Sequence, residues 1–242
     1  MPIDYKIRFY EKYASNIQAR ERKIEVSKFD LYSRAYDWYL RGWMPKDKKA
    51  KILDVGCGYG RLLHFFSKRG YLNVMGVDIS SEQVEFAKKI HPDVIQADAL
   101  EFLEGQTEQF DLIVAIDLIE HFTKEEVIRF LDASYQALKS GGQLIIQSPN
   151  ADSPFGLVHA FGDFTHEVCL NISSLGSVMA VCGFTEIEGR ETGPIPYGPI
   201  SFIRWILWKL IRLMIMSYNM IETSGPGSNI FSRVFIASGV KQ

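Results

Sequence analysis

The sequence predicts an α/β domain built on a doubly wound sheet, because strand-like and helix-like segments alternate along the chain. Residues 110–115 and 143–147 form nearly continuous apolar or strand-like runs, as expected for parallel strands that are buried on both faces. Between these runs, Thr123 and Glu126 have the spacing of a capping box, which predicts a helix through Leu138. A strand, a helix and a strand therefore follow one another through the middle of the chain.

The remaining elements are predicted by similar signals. Ser80 and Gln83 form a second potential capping box, which predicts a helix through Ile90. Further segments are expected to be a short helix at residues 173–181, strands at 184–190 and 231–237, and N-terminal helices at 8–21 and 29–41. The chain shows no internal repeat and no low-complexity segment.

Composition limits the classes of protein that the chain can belong to. Its 242 residues, 47% of them hydrophobic, suffice for one domain with a full core. The formal net charge of -2 argues against a dedicated nucleic-acid binder, which usually has a marked basic excess. Cys57, Cys169 and Cys182 have no disulfide-framework spacing, and residues 1–6 lack the apolar core of a secretory signal. We therefore expect a cytoplasmic protein with reduced thiols.

Residues 54–60, DVGCGYG, form a glycine-rich turn between an apolar run and an amphipathic one. In a strand-turn-helix unit of this kind, backbone N–H groups can closely approach a nucleotide-like ligand. Asp54 distinguishes between two such ligands. Its carboxylate would repel the pyrophosphate of a dinucleotide but would attract the ammonium of an amino-acid ligand. The turn therefore favours S-adenosylmethionine over NAD, and Cys57 is expected to matter there for its small size.

Two further acidic residues follow the next predicted strands. Asp78 ends an apolar run about twenty residues beyond the glycine turn, where a carboxylate can accept hydrogen bonds from both ribose hydroxyls. Asp98 closes the run 94–97 and could accept a hydrogen bond from the adenine amino group. Three acidic residues at three successive strand ends fit one nucleoside-containing cofactor.

In this order, the motifs DVGCGYG, VMGVD, IQADAL, FDLIVAIDLIEHF and LKSGGQLIIQSPN resemble those of class I S-adenosylmethionine-dependent methyltransferases, over roughly residues 45 to 190. The resemblance implies a Rossmann-like, seven-stranded sheet that is mostly parallel, with an antiparallel last strand. It also implies one domain, 1–242, with N-terminal helices at 1–49, a cofactor-binding core at 50–192, an amphipathic helical insertion at 193–229 and the last strand at 230–242. The residues expected to bind the cofactor are Asp54, Gly56, Cys57, Gly58, Asp78, Ile79, Asp98, Ala99 and Asp117.

In similar enzymes the N-terminal segment folds over the bound cofactor. The resemblance therefore suggests that Tyr13, Arg34, Tyr36 and Trp38 help to close the site. Ordinary packing of these side chains on the sheet is the alternative.

Candidate catalytic groups follow the fourth and fifth predicted strands. Residues 163–167, DFTHE, resemble the Asp-x-Thr-His element of methyltransferases found with surface-polysaccharide biosynthesis. His166 is the candidate base, because an imidazole titrates near neutral pH, and Asp163 is available to orient it or to bind the acceptor. His121 is a second candidate, although it could instead cap a helix, and His166 could instead pin the loop. No metal site is predicted, since Asp163, His166 and Glu167 lack a clear further ligand.

These observations predict methyl transfer to a hydroxyl of a small-molecule or lipid-linked sugar acceptor, on a nucleotide- or lipid-linked glycan intermediate. One alternative is methylation of a small phenol or quinone precursor, because DLIEHF also occurs in enzymes of that kind. Another is a partner subunit that binds S-adenosylmethionine without catalysis. An NAD-dependent oxidoreductase is a more distant alternative.

The insertion contains a long amphipathic segment with an exposed basic arc. At helical spacing, its polar arc consists of Ser201, Arg204, Lys209, Arg212 and Asn219, with Trp205 and Trp208 among them. Basic residues and tryptophans beside a broad apolar face suit a helix that lies in a membrane interface. We therefore expect residues 200–222 to mediate peripheral association with the inner membrane surface, homodimerisation, or packing on their own domain.

Overall fold

A seven-stranded mixed sheet forms the centre of the structure, a computed structural model that describes Phe9 and residues 26–242. The strands are β1 (Lys51–Val55), β2 (Asn73–Asp78), β3 (Val94–Gln96), β4 (Phe110–Ile116), β5 (Leu138–Pro149), β6 (Thr185–Glu191) and β7 (Val234–Val240). Their order across the sheet is β3-β2-β1-β4-β5-β7-β6. The predicted Rossmann-like fold class is confirmed.

Helices connect these strands and flank the sheet. They are α1 (Val26–Tyr39), α2 (Arg61–Lys68), α3 (Ser81–Ala87), α4 (Ala99–Glu104), α5 (Lys124–Ala137), α6 (Gly156–Ala160), α7 (Ile172–Val181) and α8 (Pro199–Thr223). A 3-10 turn, Ile119–His121, follows β4. The helix predicted at residues 8–21 lies outside the described residues.

The strand directions fix where a ligand can bind. The first five strands pair in parallel, and β7 pairs antiparallel with both β5 and β6. Pro149 at the end of β5 pairs with Val234, and Glu191 at the end of β6 pairs with Phe235. The carboxyl ends of β1, β2, β4, β5 and β6 therefore share one edge. In open α/β sheets, ligands bind at this edge, where the strand order reverses between β1 and β4.

Two apolar layers hold the helices on the sheet. On β1, Leu53 and Val55 belong to one buried cluster with Phe130 of α5, whereas Ile52 belongs to another with Phe66 of α2. Alternate residues of a strand point to opposite faces, so a strand that is apolar on both sides must be covered on both sides. This arrangement holds the glycine turn after β1 between two packed layers.

The capping predictions had different outcomes. Thr123 accepts from the Glu126 N–H at 3.3 Å while the Glu126 carboxylate accepts from the Thr123 N–H at 2.8 Å, so this capping box is confirmed. Its helix ends at Ala137, because β5 begins at the next residue. The prediction of a capping box at Ser80 was wrong. Asp78 Oδ1 accepts from the Ser80 N–H at 2.8 Å, and the Ser80 side chain caps nothing.

The inserted helix is present, but its orientation differs from the predicted one. Arg212 of α8 points toward the domain, where its Nε lies 3.2 Å from Glu191 Oε1 and its Nη2 donates to the Asn229 carbonyl. Trp208 donates to Glu191 Oε2 at 3.3 Å. The part of the basic arc that contains Arg212 therefore does not face solvent. Among the described helices, none combines the length and the apolarity that a bilayer span requires.

Candidate active site

A cavity of about 1070 Å³ opens at the carboxyl edge of the sheet. Every residue that the sequence predicted for the cofactor or for catalysis lines it: Asp54, Gly56, Cys57, Gly58, Asp78, Ile79, Asp98, Ala99, Asp117, His121, Asp163 and His166. Single ligand pockets usually occupy roughly 300–1,000 Å³. The cavity is therefore at least as large as a pocket that holds one such ligand.

The glycine turn has the backbone geometry that its sequence predicted. Gly56, Gly58 and Gly60 have positive φ angles of 71°, 51° and 80°, which a residue with a side chain rarely adopts. A Cβ added at Gly56 would lie 3.0 Å from Leu118 Cδ1. The Gly58 N–H donates to Asp78 Oδ2 at 2.8 Å, so the turn is also tied to the end of β2.

Cys57 contributes its small size to this turn. Burial raises the pKa of its thiol above the usual range, which opposes the reactive thiolate form. A Cβ added at the neighbouring Gly76 would lie 2.8 Å from Cys57 Sγ. The side chain therefore fills space between β1 and β2.

Asp54 and Asp78 place two buried carboxyl groups beside the glycine turn. Their exposed fractions are 2% and 8%. Burial, followed by the charge of Asp78, raises the pKa of Asp54 to about 8. Burial also raises the pKa of Asp78, although hydrogen bonds from the backbone of Ser80 and Gly58 oppose this shift. A cationic group bound here would offset the cost of holding two acidic groups in one buried place.

Asp98 has a structural role that the sequence analysis did not assign. Its Oδ1 accepts from the backbone N–H groups of Leu100 and Glu101, at 2.9 and 3.1 Å, and so caps α4. An adenine contact by Asp98 stays a prediction.

Two histidines meet in the cavity lining. The rings of His121 and His166 lie 4.7 Å apart between centroids and are nearly perpendicular. His121 Nδ1 lies 2.9 Å from Thr165 Oγ1, which itself donates to Asp163 Oδ1 at 2.7 Å. Since the Thr165 hydroxyl has a single proton and gives it to Asp163, His121 must donate through Nδ1.

His166 is held in the same tautomer by a different partner. Its Nδ1 lies 3.2 Å from the Ala160 carbonyl oxygen, which can only accept a hydrogen bond. The Nε2 atom of each neutral ring therefore carries a lone pair. Asp163 contacts His121 through Thr165, whereas the sequence predicted that it orients His166 or binds the acceptor. The alternative in which the backbone pins His166 is present, and a role for His166 as base stays a prediction.

Sequence reasoning missed Glu120, which directly precedes His121 and also lines the cavity. Its side chain is 1% exposed, and the Ser148 hydroxyl lies close enough to its carboxyl group to favour the charged form. Burial, followed by the charge of Asp117, raises the pKa of Glu120 well above its usual value. One ligand atom from each of Glu120, His121 and His166 lies within 4.8 Å of the other two. The only signal in the sequence is an acid placed directly before His121 in DLIEHF.

The N-terminal closure residues fall into three groups. Tyr36 lines the cavity. Arg34 and Trp38 are exposed and lie outside the cavity lining, and Trp38 packs against the Arg41 guanidinium instead. Tyr13 lies outside the described residues.

A family model described as a methyltransferase domain matches residues 21–188. The chain belongs to the methyltransferase-domain family. Its overall fold is similar to that of an S-adenosylmethionine-dependent methyltransferase from Archaeoglobus fulgidus, with a TM-score of 0.64 and 22% identity over 98% of this chain and 100% of that one. It is also similar to phosphoethanolamine N-methyltransferase 2 of Haemonchus contortus in complex with S-adenosylmethionine, with a TM-score of 0.57 and 20% identity over 88% of this chain and 57% of that one.

Among curated relatives, the methyltransferase is similar to ubiquinone biosynthesis O-methyltransferases. It is 33% identical to that of Pseudomonas putida over 171 residues, which cover 62% of this chain and 70% of that protein. It is 35% identical to the mitochondrial enzyme of Rattus norvegicus over 111 residues, which cover 41% of this chain and 31% of that protein. A probable tRNA methyltransferase 9B of Mus musculus is 32% identical over 118 residues, which cover 48% of this chain and 26% of that protein. The chain thus matches less than two thirds of the length of several of these relatives.

The cofactor of the methyltransferase is S-adenosylmethionine, and the residues of the cavity fit it. Gly56 and Gly58 line the cavity without side chains, and the buried Asp54 carboxyl group suits the ammonium of an amino-acid moiety. The Gly58 and Ser80 N–H groups hold both oxygens of Asp78 at the end of β2, so a ribose would add to these contacts.

Proposed function

We propose that the methyltransferase methylates a hydroxyl oxygen of a small phenol or quinone precursor. The observation that carries this proposal is the pair of imidazole rings in the cavity lining, each with Nδ1 fixed and Nε2 carrying a lone pair. Such groups act on an acceptor that must lose a proton, as a hydroxyl does. The likeness to ubiquinone biosynthesis O-methyltransferases supports a phenolic hydroxyl. The glycan acceptor predicted from DFTHE has no comparable support among these relatives.

When bound, S-adenosylmethionine supplies the methyl group and a neutral thioether as leaving group. The protein's own residues bind the cofactor and activate the acceptor. Asp54 and the glycine turn hold the cofactor end of the cavity, and the histidine pair activates the acceptor hydroxyl so that its oxygen can form the new bond to carbon. Alignment of the two substrates in one cavity is expected to supply a large part of the rate increase.

A direct assay tests this function. We would incubate the protein with methyl-labelled S-adenosylmethionine and a panel of phenols, quinone precursors, nucleotide sugars and lipid-linked glycans, and locate the label by mass spectrometry. We expect label on a phenolic oxygen. Label on a sugar hydroxyl would contradict the proposal in favour of the glycan acceptor. Binding of S-adenosylmethionine without label on any acceptor would favour a non-catalytic partner subunit.

We further propose that α8 docks the protein on a lipid surface. Many large apolar side chains of this helix are exposed: Ile200, Phe202, Ile203, Ile206, Leu207, Leu210, Ile211, Leu213, Met214, Met220 and Ile221. Arg204 and Lys209 are exposed among them and would attract anionic lipids. The helix contacts Glu191 at the carboxyl end of β6, so it lies at the same edge of the sheet as the cavity. A hydrophobic acceptor could then reach the cavity from the bilayer.

Liposome flotation checks this docking proposal. The double variant Leu207→Glu, Leu210→Glu is expected to bind anionic vesicles at least about 100-fold more weakly than the wild type, because burial of each such side chain contributes about 1.5 to 3 kcal/mol. Ile128→Glu on α5 is the matched control, since Ile128 is also exposed but lies on another helix. Wild-type protein that ignores vesicles and forms a dimer in light scattering would show that α8 mediates self-association instead.

A further inference from the structure

The side chain of Gln83 faces the cofactor part of the cavity instead of capping its own helix. Gln83 lies in the first turn of α3, is 6% exposed and lines the cavity. Its Nε2 lies 3.3 Å from Asp78 Oδ1 and 3.2 Å from Asp78 Oδ2, in the amide orientation that lets the nitrogen donate to a carboxylate that can only accept. A Cβ added at Gly58 would lie 3.7 Å from the same amide group. Gln83 therefore lies beside both the glycine turn and the end of β2.

These contacts use most of the accepting capacity of Asp78. The two oxygens of a carboxylate offer about four lone pairs. The Ser80 N–H donates to Oδ1 and the Gly58 N–H donates to Oδ2, each at 2.8 Å. Gln83 Nε2 is nearly equidistant from the two oxygens, which is the position of a donor that bridges them. Two neighbouring ribose hydroxyls that bind Asp78 as a pair need the same lone pairs.

Ser80 offers the Gln83 amide a second partner. The Ser80 hydroxyl oxygen is buried and has no hydrogen-bond partner among the residues that the structure describes. Ser80 is the N-cap of α3 and Gln83 is the third residue of that helix, the spacing at which a capping box joins two residues. A buried hydroxyl without a partner is costly, so a displaced Gln83 amide would gain by turning to it.

We propose that Gln83 competes with the ribose of the cofactor for the Asp78 carboxylate, and that its amide turns to Ser80 when the ribose binds. Competition lowers the affinity for S-adenosylmethionine and for S-adenosylhomocysteine alike, because the two share one ribose. It also returns a donor to Asp78 as the product leaves, which favours product release, a step that limits turnover in many enzymes. Gln83 is thus a positioning residue that adjusts cofactor exchange. The proposal concerns the cofactor and does not rest on the proposed acceptor.

Calorimetry on the full-length protein tests the competition, with S-adenosylhomocysteine and an analogue of it that lacks both ribose hydroxyls as the two probes. Gln83→Met keeps the length of the side chain and removes its amide. We expect Gln83→Met to bind S-adenosylhomocysteine about 10-fold more tightly than the wild type, because the ribose no longer displaces a donor. It should bind the dideoxy analogue no more tightly than the wild type does, because this analogue leaves Asp78 to Gln83. Gln136→Met is the matched control, since Gln136 is exposed on α5 and lies outside the cavity lining.

Further measurements separate competition from a purely structural role of Gln83. Ser80→Ala should weaken binding of S-adenosylhomocysteine and leave binding of the dideoxy analogue unchanged, because the displaced amide loses its second partner. Stopped-flow displacement should show S-adenosylhomocysteine leaving Gln83→Met about 10-fold more slowly than it leaves the wild type. In isotope-labelled wild-type protein, the NMR signal of the Gln83 side-chain amide should move when S-adenosylhomocysteine binds and stay nearly in place with the dideoxy analogue. This signal decides the outcome if circular dichroism shows that Gln83→Met fails to fold.

Weaker binding of S-adenosylhomocysteine to Gln83→Met would overturn the proposal, because it would show that Gln83 supports the ribose instead of competing with it. An equal preference for S-adenosylhomocysteine over the dideoxy analogue in both proteins would also overturn it, as would an amide signal that responds alike to the two ligands. Methylation of a phenol without the expected changes in affinity would overturn the competition and leave the proposed function intact. The expected changes without methylation of a phenol would support the competition while the proposed function fails.

Discussion

His166→Ala is expected to lower turnover by about 10²- to 10⁴-fold while leaving S-adenosylmethionine affinity nearly unchanged. Under the proposed function the ring of His166 activates the acceptor hydroxyl, and it lies 4.7 Å from the ring of His121 between centroids. Its loss therefore removes activation of the hydroxyl and spares the contacts of the glycine turn. Single-turnover assays with labelled cofactor measure the first effect, and calorimetry with S-adenosylmethionine measures the second.

His91→Ala is the matched control, since it removes one imidazole outside the cavity lining and should keep both properties. Normal turnover in His166→Ala together with lost turnover in His121→Ala would move the activating role to the residue after β4. Normal turnover in both variants would show that the acceptor needs neither imidazole, as for an oxygen that is already anionic.

The sequence predicts that the residues expected to bind the cofactor lie together, because they follow strands. Asp54, Asp78 and Asp98 each lie at or near the end of a parallel strand, and parallel strands bring their carboxyl ends to one edge. The glycine spacing predicts the positive φ angles of the turn in the same local way. Both signals depend only on the spacing and order of residues along the chain, so they can be recognised without knowledge of distant contacts.

The histidine cluster could not be predicted to the same depth. Which acceptor the Thr165 hydroxyl meets depends on how the segment after β5 packs against the 3-10 turn, a contact between residues 44 positions apart. The burial of Glu120 likewise results from that packing, because the Glu167 and Val168 N–H groups both donate to its backbone carbonyl. The sequence thus identified His121, Asp163 and His166 as cavity residues but not the Thr165 contact that joins Asp163 to His121.

The inserted helix shows another limit. Helical periodicity separated the polar arc from the apolar face of α8, but it could not say which of them the domain covers. The carboxylate of Glu191, at the end of β6, attracts Arg212 and Trp208 and so turns part of the polar arc inward. The apolar face consequently remains exposed.

Asp54→Asn is expected to have opposite effects on cofactor binding and on the stability of the cofactor-free protein. Removal of a charged hydrogen-bonding partner of the ammonium should weaken S-adenosylmethionine binding by about 2 to 3 kcal/mol, or roughly 30- to 150-fold. The same change removes a carboxyl group that is held in a buried place beside Asp78. Residues of a binding site often carry such a cost in stability.

The pH dependence follows from the direction of the pKa shift. The pKa of Asp54 is raised from 3.8 to about 8 in the folded protein, so between these values the folded state binds more protons than the unfolded state. The free energy of unfolding of the wild type should therefore fall as pH rises from about 4 to about 8, and then level off. Asp54→Asn lacks the part of this decline that comes from Asp54, while Asp78, Asp117 and Glu120, whose pKa values are also raised, contribute theirs in both proteins. One pKa unit corresponds to about 1.4 kcal/mol, so even a fraction of the shift makes the variant more stable at pH 8 by at least about 1 kcal/mol.

Urea unfolding between pH 5 and 9 measures the stability of the cofactor-free protein, and calorimetry at pH 8 measures the affinity for S-adenosylmethionine. Asp93→Asn is the matched control, because Asp93 is an exposed aspartate outside the cavity lining and its replacement should change neither quantity. If Asp54→Asn binds S-adenosylmethionine as tightly as the wild type, Asp54 does not hold the ammonium. If the variant loses affinity but its unfolding free energy declines with pH as that of the wild type does, groups other than Asp54 cause the decline in stability. The combination of weaker binding and a flatter pH profile is expected only if one buried carboxyl group both destabilises the empty site and binds the cofactor's positive charge.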